Sequence, residues 1–215
     1  MVKTALCLLT CNRPELTRQT VTSLQKYVPL QDFILLHGDD SSDCRENHDI
    51  AKSVGFKTVF QTRTRRGVAF MWNSLIHQAK DNGAQFVFMQ ENDWQWIRPL
   101  DPQIIKTFQK DESLYNMRFW GAFKDEQKQL KSVPLHQSKG IEPNWKPYMQ
   151  GWEVGDIHWC YPPNITRIEE AIYLSRGERE GACIERSRHI SKLVLRPTQN
   201  YVFHIGHERT GGFVR

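Results

Sequence analysis

Glu91 and Asp93 are the residues of this sequence best placed to do chemistry. They are carboxylates one residue apart, directly after the apolar run Phe86–Met89 in QFVFMQENDW. Two oxygen donors in one short loop suit a hard divalent cation, Mn2+ or Mg2+, that already carries phosphates. More acids follow the apolar run ending at Leu36: Asp39, Asp40 and Asp43 in HGDDSSD. They read either as helix N-caps that satisfy free N–H groups or as acceptors for a nucleobase imide or a ribose hydroxyl. Arg63, Arg65 and Arg66 precede Gly67 and run into a helical pattern. A basic loop entering a helix N-terminus offers a diphosphate both guanidinium forks and backbone donors; the alternative is a solvated basic loop. Asn73, on the helix that follows, is a plain polar position or reaches the base or ribose. His204 ends a short apolar run and is either a satisfied core histidine or a third metal ligand, since imidazole joins carboxylates around manganese-like ions. Beyond it, His207 and Arg209 are phosphate-contact candidates, and Gly206, Gly211 and Gly212 let the tail fold over a bound diphosphate. A general base must come from elsewhere. Glu178, Glu180 and Glu185 in RGEREGACIER are candidates, as are Glu153 and Asp156 in GWEVGDIHW. Alternating Glu and Arg on a helix also describes a solvated, salt-bridged face.

The elements that must position these groups are legible in the first half. Thr4–Leu9 reads as a buried strand, and Glu15–Lys26 as a helix with Pro14 at its entry. Phe33–Leu36 and Lys57–Phe60 read as further strands, with a short helix over Asn47–Ser53 between them. Val68–Lys80 carries apolar or small residues at positions 68, 71, 72, 75, 76 and 79, the spacing of an amphipathic helix. The Phe86 strand follows. Strand and helix alternating in this way predict parallel pairing with helices on both faces. The carboxyl edge of such a sheet is where open α/β folds bind ligands. In the second half, Asn116–Phe123 and Trp152–Tyr161 read as strands and Ile165–Leu174 as a helix. Glu126–Pro147 reads as a long loop or lid, and Leu193–Arg196 and Tyr201–Ile205 as closing strands.

With 215 residues the chain is most simply one domain. No stretch approaches the ~20 apolar residues of a membrane span, and the first residues lack the cleavage site of a signal peptide. Cys7, Cys11, Cys44, Cys160 and Cys183 are scattered, without CxxC spacing, which favours reduced thiols in a cytoplasmic protein over disulfides or a zinc site. The net charge of +5 suits an anionic partner such as a nucleotide, a nucleic acid or a membrane surface. The seven tryptophans line a sugar groove or fill the core.

Taken in order, these segments resemble the GT-A glycosyltransferases, particularly the small inverting enzymes of family 2. LLTCNRPELTRQTVTSL is similar to that family's first strand and helix, whose Thr-x-Asn-Arg turn faces the nucleotide, which implies Thr10, Asn12 and Arg13. DDSSD resembles the second-strand acidic motif and implies Asp40 or Asp43 near the base. RRGVAFMWNSLIHQA matches the glycine-and-asparagine segment, with Arg66, Gly67 and Asn73. QENDW stands where the family has its Asp-x-Asp metal motif, so Glu91, Asn92 and Asp93 face donor and metal, with Glu in place of the usual first Asp. HWCYPPNITRIEEA resembles the acceptor-side Pro-x-aliphatic-x-Arg segment. HIGHERTGG is similar to a C-terminal His-Gly motif, bringing in His204 and Arg209.

The resemblance implies a Rossmann-like α/β domain with a mostly parallel central sheet and helices on both faces, residues 1–100 forming a nucleotide-sugar-binding half and 101–215 an acceptor-side half. It further implies metal-dependent transfer of a sugar from a nucleoside diphosphate sugar, by family default a UDP-sugar, to a hydroxyl. Glu180, ahead of Glu178, would be the base, and the anomeric centre would invert. The acceptor is a glycan or, alternatively, a hydroxymethylated pyrimidine of viral DNA, which would put the protein in host cytoplasm. Lys124, Lys128, Lys131, Lys139 and Lys146 would then be phosphate contacts. A non-catalytic nucleotide- or carbohydrate-binding module is the non-enzyme alternative. A sugar nucleotidyltransferase is disfavoured, because LLTCNRPELT has no glycine to cradle a triphosphate.

Overall fold

The computed structural model describes residues 2–42, 45–119, 121–124, 130–132, 145–155, 163–176 and 180–206. The first half alternates as its apolar pattern requires: β1 (Thr4–Thr10), α1 (Pro14–Tyr27), β2 (Ile34–Asp39), α2 (Glu46–Ser53), β3 (Lys57–Gln61), α3 (Val68–Asp81) and β4 (Phe86–Glu91). Then come β5 (Trp94–Trp96), α4 (Pro102–Lys110), β6 (Leu114–Arg118), β7 (Gly121–Lys124), β8 (Leu130–Ser132), β9 (Lys146–Met149) and β10 (Trp152–Gly155). The chain continues through β11 (Asn164–Arg167), α5 (Ile168–Ser175), α6 (Glu180–Ser187), β12 (Leu193–Pro197) and β13 (Val202–His204).

Nine strands form the main sheet in the order β3-β2-β1-β4-β11-β6-β12-β10-β9. β3, β2, β1 and β4 are parallel, β11 is antiparallel between β4 and β6, and β12 runs parallel to β6. A second sheet takes the order β5-β13-β7-β8. All of β1 is buried, as a strand covered on both faces must be. Its side chains alternate between two cores. Leu6 and Leu8 pack with α1 and α4 residues such as Leu24, Ile104 and Phe108. Ala5, Cys7 and Leu9 pack with Met71, Trp72 and Leu75 of α3 and Ala171 of α5. Among the described residues no helix is long and apolar enough to cross a membrane.

Three expectations are corrected here. The single strand expected over 116–123 is two strands in different sheets, β6 and β7. The chain turns at Phe119, whose ring is buried against Phe88 and Trp96 at centroid distances of 5.4 and 4.8 Å. The helix expected over 165–174 begins only at Ile168. Ile165 and Thr166 are fully buried in β11, where branched side chains fill the gap between β4 and β6. The expected loop at 126–147 contains β8 and the start of β9, its other residues up to 144 lying outside the described set. The strand expected over 152–161 is described only to Gly155. Helix α4 went unread although Asp101-Pro102 marks its start: the Asp101 carboxylate accepts from the Gln103 amide at 2.8 Å.

Candidate active site

Because β1, β2 and β4 are parallel, their carboxyl ends meet at one edge, with Thr10 opposite Asp39 and Leu9 opposite Glu91. Asn12 and Arg13 follow β1, both left-handed with φ 49° and 53°. That conformation disfavours side chains carrying a Cβ, and the surroundings hold it in place. The Asn12 amide donates to Ser42 Oγ at 2.8 Å, and its carbonyl accepts from Asn47 Nδ2 at 3.0 Å and Asn92 Nδ2 at 3.2 Å. Asn92 is buried and also donates to Thr17 Oγ1 at 2.9 Å, so it builds the turn from within.

Asp39 is the buried centre of this edge. It accepts from Thr10 Oγ1 at 2.6 Å, from the Ser42 amide at 2.7 Å and from Ser42 Oγ at 2.6 Å. Behind it, His37 Nε2 lies 2.9 Å from Thr10 Oγ1, and His37 Nδ1 lies 2.8 Å from Thr58 Oγ1. Thr10 gives its proton to Asp39, so its oxygen accepts from His37, which sets the Nε2–H tautomer. Burial pushes the His37 imidazole down to about 4. An unfolded chain takes up this proton below about 6.5, and the folded chain only near the lower value. Stability is therefore lost progressively as pH falls through that interval, by about 3 kcal/mol in all. Thermal melts between pH 7 and pH 4.5 should show wild type losing Tm more steeply than His37→Gln; equal slopes would remove His37 as the cause.

Asp40 closes the neighbouring loop. One of its oxygens accepts from the Arg66 amide at 2.7 Å and Thr62 Oγ1 at 3.1 Å, the other from the Gly67 amide at 2.9 Å. The carboxylate thus ties down the two residues that lead into α3, the second of them Gly67 with φ 86°. The Arg66 guanidinium remains exposed and lies over the Phe70 ring at 4.4 Å.

Asp93 sits where β5 begins. The antiparallel pairing of β5 with β13 sets His204 opposite Trp94, their rings 4.6 Å apart. His204 Nε2 comes within 3.5 Å of Asp93 Oδ2, and Arg13 Nη2 within 3.3 Å of the same oxygen. Burial pushes the Asp93 carboxyl up, but the hydrogen bond and charge of His204 and the charge of Arg13 outweigh it and hold it below its ordinary value. Among the described residues, the other oxygen, Oδ1, is buried with no hydrogen-bond partner. A carboxylate with one buried, unbonded oxygen beside an imidazole fits a cation site. Glu91 is turned toward α3, its Oε1 accepting from Trp72 Nε1 at 3.2 Å. Among the described residues, no three His, Cys, Asp or Glu side chains form a metal-binding group. Gly206 makes the packing around Asp93 possible: a Cβ there would lie 2.8 Å from both Asp93 Cβ and Oδ2. Gly206→Ala should therefore displace the Asp93 carboxylate and lower any Asp93-dependent activity about tenfold or more, with Tm little changed. Unaltered kinetics would show that this approach does not matter.

The remaining predicted residues divide. Asn73 is half-exposed on α3, off the face formed by Met71, Trp72 and Leu75. Helix α5 starts at the amino edge, where the Ile168 amide donates to Gln85 O at 2.9 Å, and runs antiparallel to α3, with Glu169 paired to Lys80 at 2.9 Å. α6 returns alongside it, Arg186 Nε bonding Leu174 O at 3.0 Å, and leads to β12 at the amino edge. Helix α6 therefore begins, at Glu180, on the side of the carboxyl edge. Asp43, Asp156, Glu178, His207 and Arg209 lie outside the described residues. Thr17, His37, Ser42 and Asn47 are part of the site and were not anticipated. Their partners lie far along the chain, and the local pattern carries no sign of them.

No family model matches this sequence, and no curated protein matches it. Solved structures do. S. aureus TarS 1–349 in complex with UDP superposes with TM-score 0.64 at 16% identity, over 94% of this chain and 60% of that one. The same protein in complex with UDP-GlcNAc gives TM-score 0.65 at 16% identity, over 94% of this chain and 58% of that one. The longer S. aureus TarS structure gives TM-score 0.60 at 17% identity, over 94% of this chain and 36% of that one. The chain thus spans about 60% of the length of TarS 1–349. Four parallel strands, an antiparallel insertion beside β4 and an acidic turn at the carboxyl edge make this the GT-A fold of glycosyltransferases.

Proposed function

We propose that this chain transfers a sugar from a nucleoside diphosphate sugar, UDP-linked by preference, to an acceptor hydroxyl. The observation that carries the reading is the Asp93 group: a carboxylate with one buried, unbonded oxygen, placed beside His204 and Arg13 at the ligand edge of a GT-A sheet. Asp93 and His204 would hold a divalent cation, Mn2+ or Mg2+, with Glu91 on the same turn. When bound, the ion supplies charge neutralisation at the leaving diphosphate. Arg13 and Arg66 would meet the phosphates through their guanidinium forks. The amides of Arg66 and Gly67 are already bonded to Asp40, so that loop binds by side chain and is preshaped by this carboxylate. Thr10, Asn12, Asp39 and Asn73 line or support the nucleoside side.

On the acceptor side, Glu180, ahead of Glu178, takes the hydroxyl proton as the acceptor oxygen bonds the anomeric carbon and the bond to the diphosphate breaks. Displacement from the opposite face inverts the centre, and NMR of a product showing retention would refute this step. The reading as a whole is tested by hydrolysis of a panel of nucleoside diphosphate sugars with manganese or with EDTA. Metal-dependent release of the diphosphate from one donor is expected. No turnover of any donor, with nucleotide binding unaffected by Asp93→Ala, would favour a binding module.

A further inference from the structure

The half-buried cationic side chains of the described residues are Arg118, Arg167, Arg186, Lys192 and Arg196. Arg167 donates to the carbonyls of Asp111 and Leu114 at 2.7 and 2.6 Å. Arg186 donates to Leu174 O, Lys192 pairs with Glu170 at 2.5 Å, and Arg196 Nε donates to Glu153 Oε1 at 2.6 Å. Arg118 is the exception: among the described residues its side chain has neither a hydrogen-bond partner nor an ion pair. Its charge bears on Arg196, and the carboxylate that Arg196 meets, Glu153, is bonded to Arg196. Among the described residues, the Arg118 guanidinium is left without a bonded carboxylate. A partly desolvated guanidinium in that state is unfavourable until an anion joins it.

Its position says where that anion belongs. Arg118 ends β6, opposite Asn164 of β11, which is itself opposite Met89 of β4. β6 and β4 both run antiparallel to β11, so Arg118 leaves the sheet at the same edge as Glu91. Asn116 donates to Thr166 Oγ1 at 2.6 Å, and Thr166 is opposite Val87, which packs in the α3 core. Alternation along β6 then puts Arg118 on the α3 face, the face of Glu91 and of the start of α6. Two strand spacings, about 10 Å, separate Arg118 from β4. The Asp93–Arg13 group lies toward β1, on the other side of β4.

On the glycosyltransfer reading above, we infer that Arg118 binds an anionic group of the acceptor, and that the acceptor is a saccharide carrying a phosphate or carboxylate. A single half-buried guanidinium suits one such group; a nucleic acid strand would need a row of exposed cations. The anion fixes the acceptor so that its hydroxyl reaches the anomeric carbon from the side where α6 begins.

Calorimetric titration of the whole chain with glucose 6-phosphate, glucuronate, glucose, a single-stranded oligodeoxynucleotide and, separately, UDP tests this. Wild type should bind one of the anionic sugars at least about tenfold more tightly than glucose. Arg118→Gln should lose that preference and Arg118→Lys keep part of it, with UDP affinity and Tm unchanged in both, because Arg118 has no internal bond to lose. An Arg118→Gln protein that retains the preference, or a wild type without one, overturns the inference. Binding of the oligodeoxynucleotide in place of the sugars overturns the saccharide assignment. Failure of UDP to bind would count against the transferase reading and leaves the anion result to be judged on its own.

Discussion

Asp93→Asn should lower metal-supported donor hydrolysis by about a hundredfold or more while the protein stays folded. The substitution preserves shape and removes only charge, so it isolates what the carboxylate does. Burial alone would favour the neutral acid, yet the hydrogen bond to His204 and the charges of His204 and Arg13 hold Asp93 ionised. The stability this contributes is present above the ordinary carboxylate value and is lost as pH falls through the lowered one. At neutral pH the negative charge is therefore fully formed and available to a cation or to Arg13 and His204. Initial rates against manganese concentration check the role. A raised metal requirement with a recoverable maximal rate would mean that Asp93 holds the ion. A lowered rate at saturating metal would mean that it acts in the displacement. Unchanged rates in Asp93→Asn would remove this residue from the chemistry.

Trp96→Ala should be the most damaging substitution for stability, costing about 3–5 kcal/mol in a denaturant titration. The indole is 1% exposed and packs edge-on against Phe88 and Phe119 at 5.7 and 4.8 Å. Its Nε1 donates to Gln90 Oε1 at 3.0 Å, so truncation leaves a cavity and a buried acceptor without its donor. A further consequence ties the core to the site. Trp96 is paired with Val202, two residues before His204, and its amide is anchored to Ser23 Oγ at 2.9 Å. Loosening β5 therefore loosens the strand that carries His204 to Asp93. Trp96→Phe, which keeps most of the ring packing, should cost much less than Trp96→Ala. A loss below about 1 kcal/mol in Trp96→Ala would mean that the second sheet is not secured through this residue.

The parallel half of the fold was legible in the sequence because its determinants are local. Apolar runs at Thr4–Leu9 and Phe86–Met89 and the helical period over Val68–Lys80 each express burial within one segment, and short connections leave few alternatives to parallel pairing. The abrupt change from Met89 to Glu91 and Asp93 marked the ligand edge for the same reason: a strand leaving the core must change from apolar to polar. Other features rest on pairings between distant segments, which no local pattern encodes. Asp40 takes the Arg66 and Gly67 amides, 26 and 27 residues away, and so fixes the loop that enters α3. His204 reaches Asp93 only because β13 pairs with β5 across more than a hundred residues, and Gly206 is needed there only because the two chains approach so closely. Likewise Asn116–Phe123 reads as one strand until Phe119 finds its place among Phe88 and Trp96 and the chain divides between two sheets. Burial preference is a property of each residue and can be read along the chain. The partner that satisfies a polar group or receives a ring is a property of the assembled core, and only the tertiary structure decides it.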